Sequence, residues 1–346
     1  MKSSIFALAG LLLLSALLFP LTACGTSPSP SDPSSPAIGT SELTAPETAY
    51  DPSLYVVIRT AEDLMAFNRA VNRDEYRFDG MTVIFLSDVD MQGYTWTPLD
   101  GARLVGVTFD GQGHTIENLT PADHEYPVDA EPDNREKGCG LVDVAEGDMI
   151  FRDLTIAHAR VSAYDHSVGC FVGAIYGGRV TFEQCRAVDF RAEGWMDWFD
   201  RDREQGGHAV AMRMGGFVGY VGEGGGASFD ACAVEDLTLS GFHNLAGFVG
   251  YDASGTLDAA DFTDCAVKGA AITFAYCLAE NYTVDQPKKF VSVFYNAADW
   301  VDGLDACTSR GNVFEDVIYY DYANDSTAYT PTDFRSWSRE EAESHG

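Results

Sequence analysis

Aromatic and charged side chains alternate in the stretch 191–214 of the 346-residue chain. Exposed aromatic rings stack on the apolar faces of sugars, while neighbouring carboxylates and guanidinium groups bind the sugar hydroxyls. The residues that fit this chemistry are Trp195, Asp197, Trp198, Phe199, Asp200, Arg201 and, further along the chain, Trp300. They are predicted to bind a glycan or another surface polymer. The alternative is that these rings pack their segments onto the body of the protein.

Carboxylates indicate a second chemistry, because glycoside hydrolases use a pair of acids and calcium takes oxygen ligands. The candidates are Asp153, Asp264 and Asp316, which are expected at equivalent positions of a sequence repeat, and Asp197, Asp200 and Asp202 in the aromatic stretch. A lyase also needs a basic catalytic residue, and no arginine is singled out by its spacing. No catalytic residue is therefore predicted, and a polysaccharide lyase or glycoside hydrolase is the alternative function.

The sequence gives little sign of metal chemistry. Asp299, Asp302 and Asp305 do not follow the spacing of an EF-hand loop, and no cysteine–histidine spacing suits zinc. No metal site and no cofactor are predicted, and weak calcium binding is the one open alternative.

A repeated unit must position these residues. Its first half is Gly-Phe-Val-Gly-Tyr, at residues 216–220 and 247–251, and its second half is Phe-x-x followed by a small or apolar residue and then Val or Ile. Five copies of the second half, 31 to 52 residues apart, begin at Phe151, Phe182, Phe229, Phe262 and Phe314. Repeats of this length with short β-rich runs predict an all-β solenoid, a parallel β-helix. The alternative is a β-sandwich whose strands share these residues by coincidence.

Equivalent side chains should stack in such a fold, because successive coils lie about 4.8 Å apart. The repeated Phe and Val are predicted to form interior columns, and the two residues after each Phe a corner that faces water. The glycine after Phe-Val is expected to permit a sharp turn. Cys185, Cys232 and Cys265 share one repeat position and are predicted to stack as buried thiols. A disulfide between neighbours stays open, because exported proteins can oxidise such pairs.

The repeat resembles a known family. Residues 216–220 and 247–251 are similar to the GLUG motif of bacterial surface proteins, and residues 107–119 resemble the turn that often precedes it. Residues 58–64 and 86–91 are similar to the start of that module. The resemblance covers about residues 54–320 and implies a right-handed parallel β-helix on a secreted or cell-surface protein. It implies no activity and transfers no catalytic residue.

The N-terminal residues predict export. Lys2 precedes a long apolar run, and Leu21-Thr22-Ala23-Cys24 resembles the bacterial lipobox. Residues 1–23 are therefore predicted to be a lipoprotein signal peptide, and lipidated Cys24 to anchor the chain on the bacterial cell membrane, facing outward. An ordinary signal peptide with an incidental cysteine, or a membrane-spanning helix, is the alternative. The Ser- and Pro-rich residues 24–52 are predicted to form an extended tether.

The folded part is predicted to span residues 53–335, followed by a polar tail at 336–346. One helix is predicted at 60–72, with Thr60 and Asp63 capping its start and Leu64, Phe67 and Val71 on one face. It should cover the exposed N-terminal end of the solenoid. Irregular insertions interrupt the repeat at 121–137, 191–214 and 294–312, and loops on a rigid scaffold are where function usually lies.

The chain is strongly acidic, with 22 Lys and Arg against 53 Asp and Glu and a net charge of −31. Nucleic acids and anionic lipid surfaces both need clusters of basic residues, so neither is a predicted partner. The sequence favours a non-catalytic binding or adhesion module for a glycan or surface polymer, with an enzyme or a structural spacer as the alternatives. Insertions that converge on one face would indicate a binding site, whereas scattered insertions would favour a spacer.

Overall fold

The structure is a computed structural model that describes residues 53–72, 76–121, 138–163, 167–194, 213–241, 244–274, 291–297, 309–321 and 332–333. All of them fall within residues 49–346, one of the two units into which the chain divides. The predicted signal peptide, Cys24, the tether and the C-terminal tail lie outside the described residues. No helix in the described part of the chain is long and apolar enough to cross a bilayer.

Helix α1 spans Ala61–Val71 and confirms the helix predicted at 60–72. The hydroxyl of Thr60 accepts a hydrogen bond from the amide of Asp63 at 3.2 Å, and the Asp63 carboxylate accepts one from the amide of Arg59 at 3.0 Å. This reciprocal pair satisfies amides that would otherwise lack partners at the helix start. The predicted apolar residues are all buried: Leu64, Phe67 and Val71. Because the Phe67 ring packs edge-on against Phe109 at the start of the core, α1 contacts the N-terminal part of the core.

The strands form five sheets, and each sheet takes one strand from the same part of successive repeat units. Sheet 1 contains Tyr55–Ile58, Thr82–Phe85, Val107–Asp110, Met149–Arg152, Gly178–Glu183, Gly225–Asp230 and Phe262–Thr263. Sheet 2 contains Val89–Asp90, Thr115–Glu117, Thr155–Ala157, Arg186–Val188, Ala233–Glu235, Ala266–Lys268 and Val313–Glu315. Sheet 3 contains Arg160–Ala163, Arg191–Gly194, Thr238–Gly241, Ala271–Phe274, Ile318–Asp321 and Thr332–Asp333.

The other two sheets are shorter and rich in glycine. Sheet 4 contains Gly138–Cys139, Ser167–Gly169, Arg213–Gly215, Leu245–Ala246 and Val291–Ser292. Sheet 5 contains Val142–Ala145, Val172–Ile175, Val218–Val221, Val249–Asp252 and Tyr295–Ala297. Short 3-10 turns occur at Gly101–Arg103 and Ala259–Asp261. Neighbouring strands pair in parallel throughout the described residues, except that Thr332–Asp333 runs antiparallel to Ile318–Asp321. The predicted all-β class with parallel sheets is therefore confirmed.

Equivalent phenylalanines stack, as predicted. Phe182 pairs in register with Phe151 on one side and Phe229 on the other, with ring centroids 5.2 Å and 4.9 Å away and the ring planes nearly parallel. A second column consists of Phe171, Phe217, Phe248 and Phe294. The two columns interlock, because rings of one meet rings of the other edge to face, as Phe217 meets Phe182 at 5.3 Å. These columns form the centre of the core.

The three predicted ladder cysteines also stack as free, buried thiols. Cys185, Cys232 and Cys265 each precede a strand of sheet 2, and those strands pair in register. Burial raises the pKa of the Cys265 thiol to about 12 and raises the pKa of the Cys232 thiol further. Both thiols therefore stay protonated and unreactive at neutral pH. The buried-thiol interpretation is confirmed for these three residues.

Two details of the predicted repeat are wrong. Phe314 pairs with Val267 rather than with Phe262, so the last copy is shifted along the chain. Asp316 consequently falls opposite Gly269 and does not share a corner with Asp153 and Asp264. The glycines after Phe-Val are also not turn residues, because they lie within strands of sheet 5. They are small because the backbones of sheets 4 and 5 approach each other closely, as at Gly250.

Candidate functional site

The outer face of sheet 3 carries small polar side chains and two arginines. Side chains alternate between the core and the outside along each strand, so every second residue faces outward. The buried residues are Val161, Ala163, Ala192, Gly194, Leu239 and Gly241, and the outward ones are Arg160, Ser162, Arg191, Glu193, Thr238 and Ser240. Serine and threonine fill little space, so this face is recessed.

A trough of about 670 Å³ follows this face, and we call it the sheet-3 groove. Its described lining consists of the six outward residues together with Val161, Ala192, Tyr94, Thr95, Thr120 and Pro121. A smaller cavity of about 360 Å³, the end pocket, is lined by Met91, Gln92, Gly93, Tyr94, Asn118, Thr120, His158 and Arg160. The two cavities share Tyr94, Thr120 and Arg160, so they are adjacent parts of one surface. Both volumes fall within or near the usual range for small-molecule sites.

Asp189 organises the basic groups of this surface. Its carboxylate lies 2.6 Å from Nη2 of Arg160, 2.9 Å from Nδ1 of His158 and 3.3 Å from Nε of Arg191. Burial opposes its ionisation, but hydrogen bonds from His158 and Arg160 and the charges of both arginines outweigh burial and lower the pKa of Asp189 to about 2. Asp189 is therefore ionised at neutral pH, and it fixes the orientation of the His158 ring and the Arg160 guanidinium.

Asp189 reaches these partners because it occupies a corner. Its φ is +46°, in the left-handed region that Asp tolerates better than most residues, and it precedes the groove strand Arg191–Gly194. His158 occupies the same corner one unit earlier, with φ +57°. The ionised carboxylate accepts a hydrogen bond from Nδ1 of His158, so Nε2 of a neutral ring is left as an acceptor.

Tyr94 forms the aromatic wall between the groove and the end pocket. Its hydroxyl donates a hydrogen bond to Oε1 of Glu62 in α1, at 2.6 Å. This hydrogen bond raises the pKa of Tyr94 and lowers the pKa of Glu62. The ring is half-buried, so part of its surface is accessible. The N-terminal helix thus holds an aromatic ring at the end of a polar groove.

Basic residues predominate in the described lining, in contrast to the composition of the chain. Arg160, Arg191 and His158 line the two cavities, and Glu193 is the one acidic residue among the described lining residues. The chain as a whole has 53 acidic residues against 22 basic ones. A glycan needs such a mixture of donors, acceptors and an aromatic face.

All seven predicted ligand-binding residues lie outside the described residues: Trp195, Asp197, Trp198, Phe199, Asp200, Arg201 and Trp300. The described strands on either side nevertheless show where their segments leave and rejoin the sheets. Residues 195–212 follow the groove strand Arg191–Gly194 and precede a strand of sheet 4. Residues 122–137 likewise follow Pro121 in the groove lining and precede sheet 4. The groove thus borders two of the three predicted insertions.

The third predicted insertion does not share this edge. Residues 298–308 connect sheet 5 to sheet 2, so the segment that contains Trp300 leaves from a different place. Residues 275–290, which were not predicted as an insertion, connect sheet 3 to sheet 4 in the same way as the first two. The groove residues themselves were missed from sequence. Their one signal was the outward pattern Arg-x-Ser, Arg-x-Glu and Thr-x-Ser at residues 160–162, 191–193 and 238–240.

Three further acids of the described chain lie away from this surface. Asp153 and Asp264 occupy the corner between sheets 1 and 2, with φ of +47° and +50°. Burial raises the pKa of Asp143 to about 6, although the amides of Val144 and Gly101 both donate to it. Asp143 belongs to sheet 5 and does not line the groove. Among the described residues, no group of three or more Cys, His, Asp or Glu could hold a metal ion.

Comparisons with known proteins give little further information. No family model and no curated protein matches the chain. Among solved structures, the chain is similar to a "putative immunoglobulin A1 protease from Bacteroides ovatus", with 13% sequence identity and a TM-score of 0.38. The similarity covers 82% of this chain and 80% of that chain. It is too weak to show a shared fold or a shared activity.

Proposed function

We propose that the five sheets are the faces of one right-handed parallel β-helix, and that this rod is a non-catalytic binding module for a glycan or surface polymer. We propose further that a lipid on Cys24 holds the module on the outside of a bacterial membrane. The repeated strand order supports the β-helix, since four successive units between Gly138 and Phe274 each visit sheets 4, 5, 1, 2 and 3 in that order. The lipobox-like residues support the anchor.

The sheet-3 groove is the observation that carries the binding proposal. Its strands lie about 4.8 Å apart, so polar side chains recur at regular intervals along it. One row consists of Arg160, Arg191 and Thr238, and the next of Ser162, Glu193 and Ser240. Such spacing suits a polymer that is itself built from repeated units. Ser162, Thr238 and Ser240 provide donors and acceptors for hydroxyl groups, and Tyr94 provides a face on which a sugar ring can stack.

Blocking the groove tests this proposal. Ser240 is half-buried and faces outward in the lining, so Ser240→Trp fills the trough without adding volume to the core. We expect the full chain to bind at least one glycan on an array, and Ser240→Trp to weaken that binding by about tenfold or more, which is about 1.4 kcal/mol.

Ala233→Trp is the matched control, because Ala233 is a half-buried, outward-facing residue of sheet 2, away from the groove. It should leave glycan binding unchanged. Equal binding by both variants would exclude the groove as the site, and no binding by the unaltered chain would exclude the glycan proposal. Shortened or unsaturated products from a polysaccharide panel would instead establish the lyase or hydrolase alternative.

The anchor has a separate test in the bacterial host. Cells that express the chain and are fed a labelled fatty acid should incorporate the label into the protein, and Cys24→Ser should abolish that label. The variant should also leave the membrane fraction, because the acyl chains provide the binding energy. A labelled Cys24→Ser protein, or an unlabelled native one, would contradict the proposal.

A further inference from the structure

We infer that the end pocket binds the carboxylate of an acidic sugar, a uronic acid unit, at one end of the bound glycan. This inference rests on the proposed function and specifies its ligand. It starts from the lining of the end pocket, which contains Gln92, Asn118, His158 and Arg160 and no acidic residue among those described. The amide of Gln92 and the side chain of Asn118 already donate to the carboxylate of Asp90, so Arg160 is the group of this lining that would bind an anion.

Arg160 is preorganised to meet such an anion. Its Nη1 donates to the carbonyl oxygen of Ala159 at 2.9 Å and to that of Asp189, and its Nη2 donates to the Asp189 carboxylate. These bonds hold the guanidinium in one orientation. They engage three of its five N–H donors, so two remain for a ligand within the described structure. A fixed guanidinium loses little side-chain entropy when it binds a carboxylate.

The local charge at Arg160 suits an anion, although the end pocket as a whole is not basic. Asp189 has two guanidinium partners, Arg160 and Arg191, so the trio carries one net positive charge. Two carboxylates, Asp90 and Glu62, nevertheless hydrogen-bond to side chains and amides of the same lining. The preference for an anion therefore depends on the two unengaged N–H donors of Arg160 and not on a positive field across the pocket.

Size and position match a single sugar unit. The end pocket measures about 360 Å³, near the lower limit of typical ligand sites, and it adjoins the groove at Tyr94. A chain that lies along the groove would thus place one terminal unit against Arg160 and His158. The Nε2 atom of neutral His158 can accept a hydrogen bond from a hydroxyl of the same sugar.

Uronic acid oligomers with free carboxylates, compared with their methyl esters, test this inference. We would titrate the full chain with oligomers of galacturonate, mannuronate and glucuronate in both forms, and measure affinity by calorimetry. At least one free acid should bind about tenfold or more tightly than its ester. That advantage should shrink as NaCl increases, because salt screens the charge.

Arg160→Gln should remove the preference for the free acid, so that free acid and methyl ester bind to the variant with equal affinity. Arg186→Gln is the matched control, because Arg186 is an outward arginine of sheet 2 that pairs with Glu235 at 2.5 Å. It should change neither affinity by more than about twofold. If Arg160→Gln does not fold, the comparison of free acid and methyl ester on the unaltered chain still tests whether a carboxylate is recognised.

The outcomes separate the two proposals. Equal affinity for acid and ester, or a preference that survives in Arg160→Gln, overturns the acidic-sugar inference and leaves the glycan-binding function standing. Failure of all six oligomers to bind overturns the inference as well. If the chain also binds no neutral glycan on the array, the proposed function fails with it.

Discussion

Replacing Gly250 with alanine should destabilise the protein by about 3 kcal/mol or more, through a single added methyl group. A Cβ atom at this position would lie 2.6 Å from the carbonyl oxygen of Gly219, 2.6 Å from the amide nitrogen of Met214 and 2.8 Å from its carbonyl carbon. All three atoms belong to the backbone, so no side chain can rotate away. The strands of sheets 4 and 5 would have to separate.

Gly226→Ala is the control for this prediction. Gly226 is also a buried glycine within a strand, but the atoms nearest to an added Cβ are side-chain atoms of Arg179 at 3.4 Å and Thr256 at 3.6 Å. Alanine should be tolerated there, with a change within about 1 kcal/mol, because it also restricts the unfolded chain. Urea unfolding of the full chain measures both variants. A Gly250→Ala protein as stable as Gly226→Ala would contradict the prediction, because it would show that the backbones of sheets 4 and 5 can move apart at Gly250.

The sequence predicts a turn at Gly250 because the contacts that require a glycine there come from residues distant along the chain. A turn is a local property, so a glycine that repeats after Phe-Val suggests one. The contacts at Gly250 involve Gly219 and Met214, residues more than 30 positions earlier in the chain. Only the stacked backbones reveal that these glycines are required by close approach between strands.

The strand register could be predicted where the same residue recurs in each unit. The prediction was wrong in the last unit, where the residue changes. Phe182, Phe229 and Phe262 are identical and lie in one column, as the sequence predicted. In the last described unit, Asn312 takes the position of the ladder cysteines. Its side chain accepts a hydrogen bond from the amide of Cys265 at 2.7 Å and donates one to the carbonyl oxygen of Phe262 at 2.8 Å. An asparagine that bonds to two backbone groups replaces a thiol here, which no sequence pattern indicates.

The candidate site was less predictable than the fold, because its geometry depends on contacts between units. Tyr94 is held by Glu62, 32 residues away, and Arg160 is held by Asp189, 29 residues away. The aromatic insertion is the segment that the sequence singles out, because its composition is unusual. The groove beside it is built from ordinary serines, threonines and arginines, whose common outward face appears only when the strands are aligned. What the insertion contributes to binding stays a prediction.

Truncating Phe217 to alanine should destabilise the protein by about 3 to 5 kcal/mol, because the ring lies within the second aromatic column and also packs against the first. Phe217 is fully buried, stacks on Phe171 and Phe248 at 4.8 Å and 4.9 Å, and meets Phe182 edge to face. Its loss removes apolar contacts on four sides and leaves a cavity that a rigid stack of strands cannot close. Tyr76→Ala, which removes a ring that is 56% exposed, should cost less than about 1 kcal/mol.

Double mutants distinguish a continuous column from a set of independent core residues. Phe217→Ala and Phe248→Ala remove stacked neighbours, so their effects on the free energy of unfolding should deviate from additivity by about 0.5 kcal/mol or more. Phe217→Ala and Phe109→Ala remove rings that belong to different columns, with Phe151, Phe171 and Phe182 between them, and should add within about 0.5 kcal/mol. Coupling is expected only between rings in direct contact, because each ring contacts only rings of its own unit and of the units beside it. Equal coupling in both pairs would contradict the column, since a unit-by-unit stack transmits a cavity to its neighbours and no further.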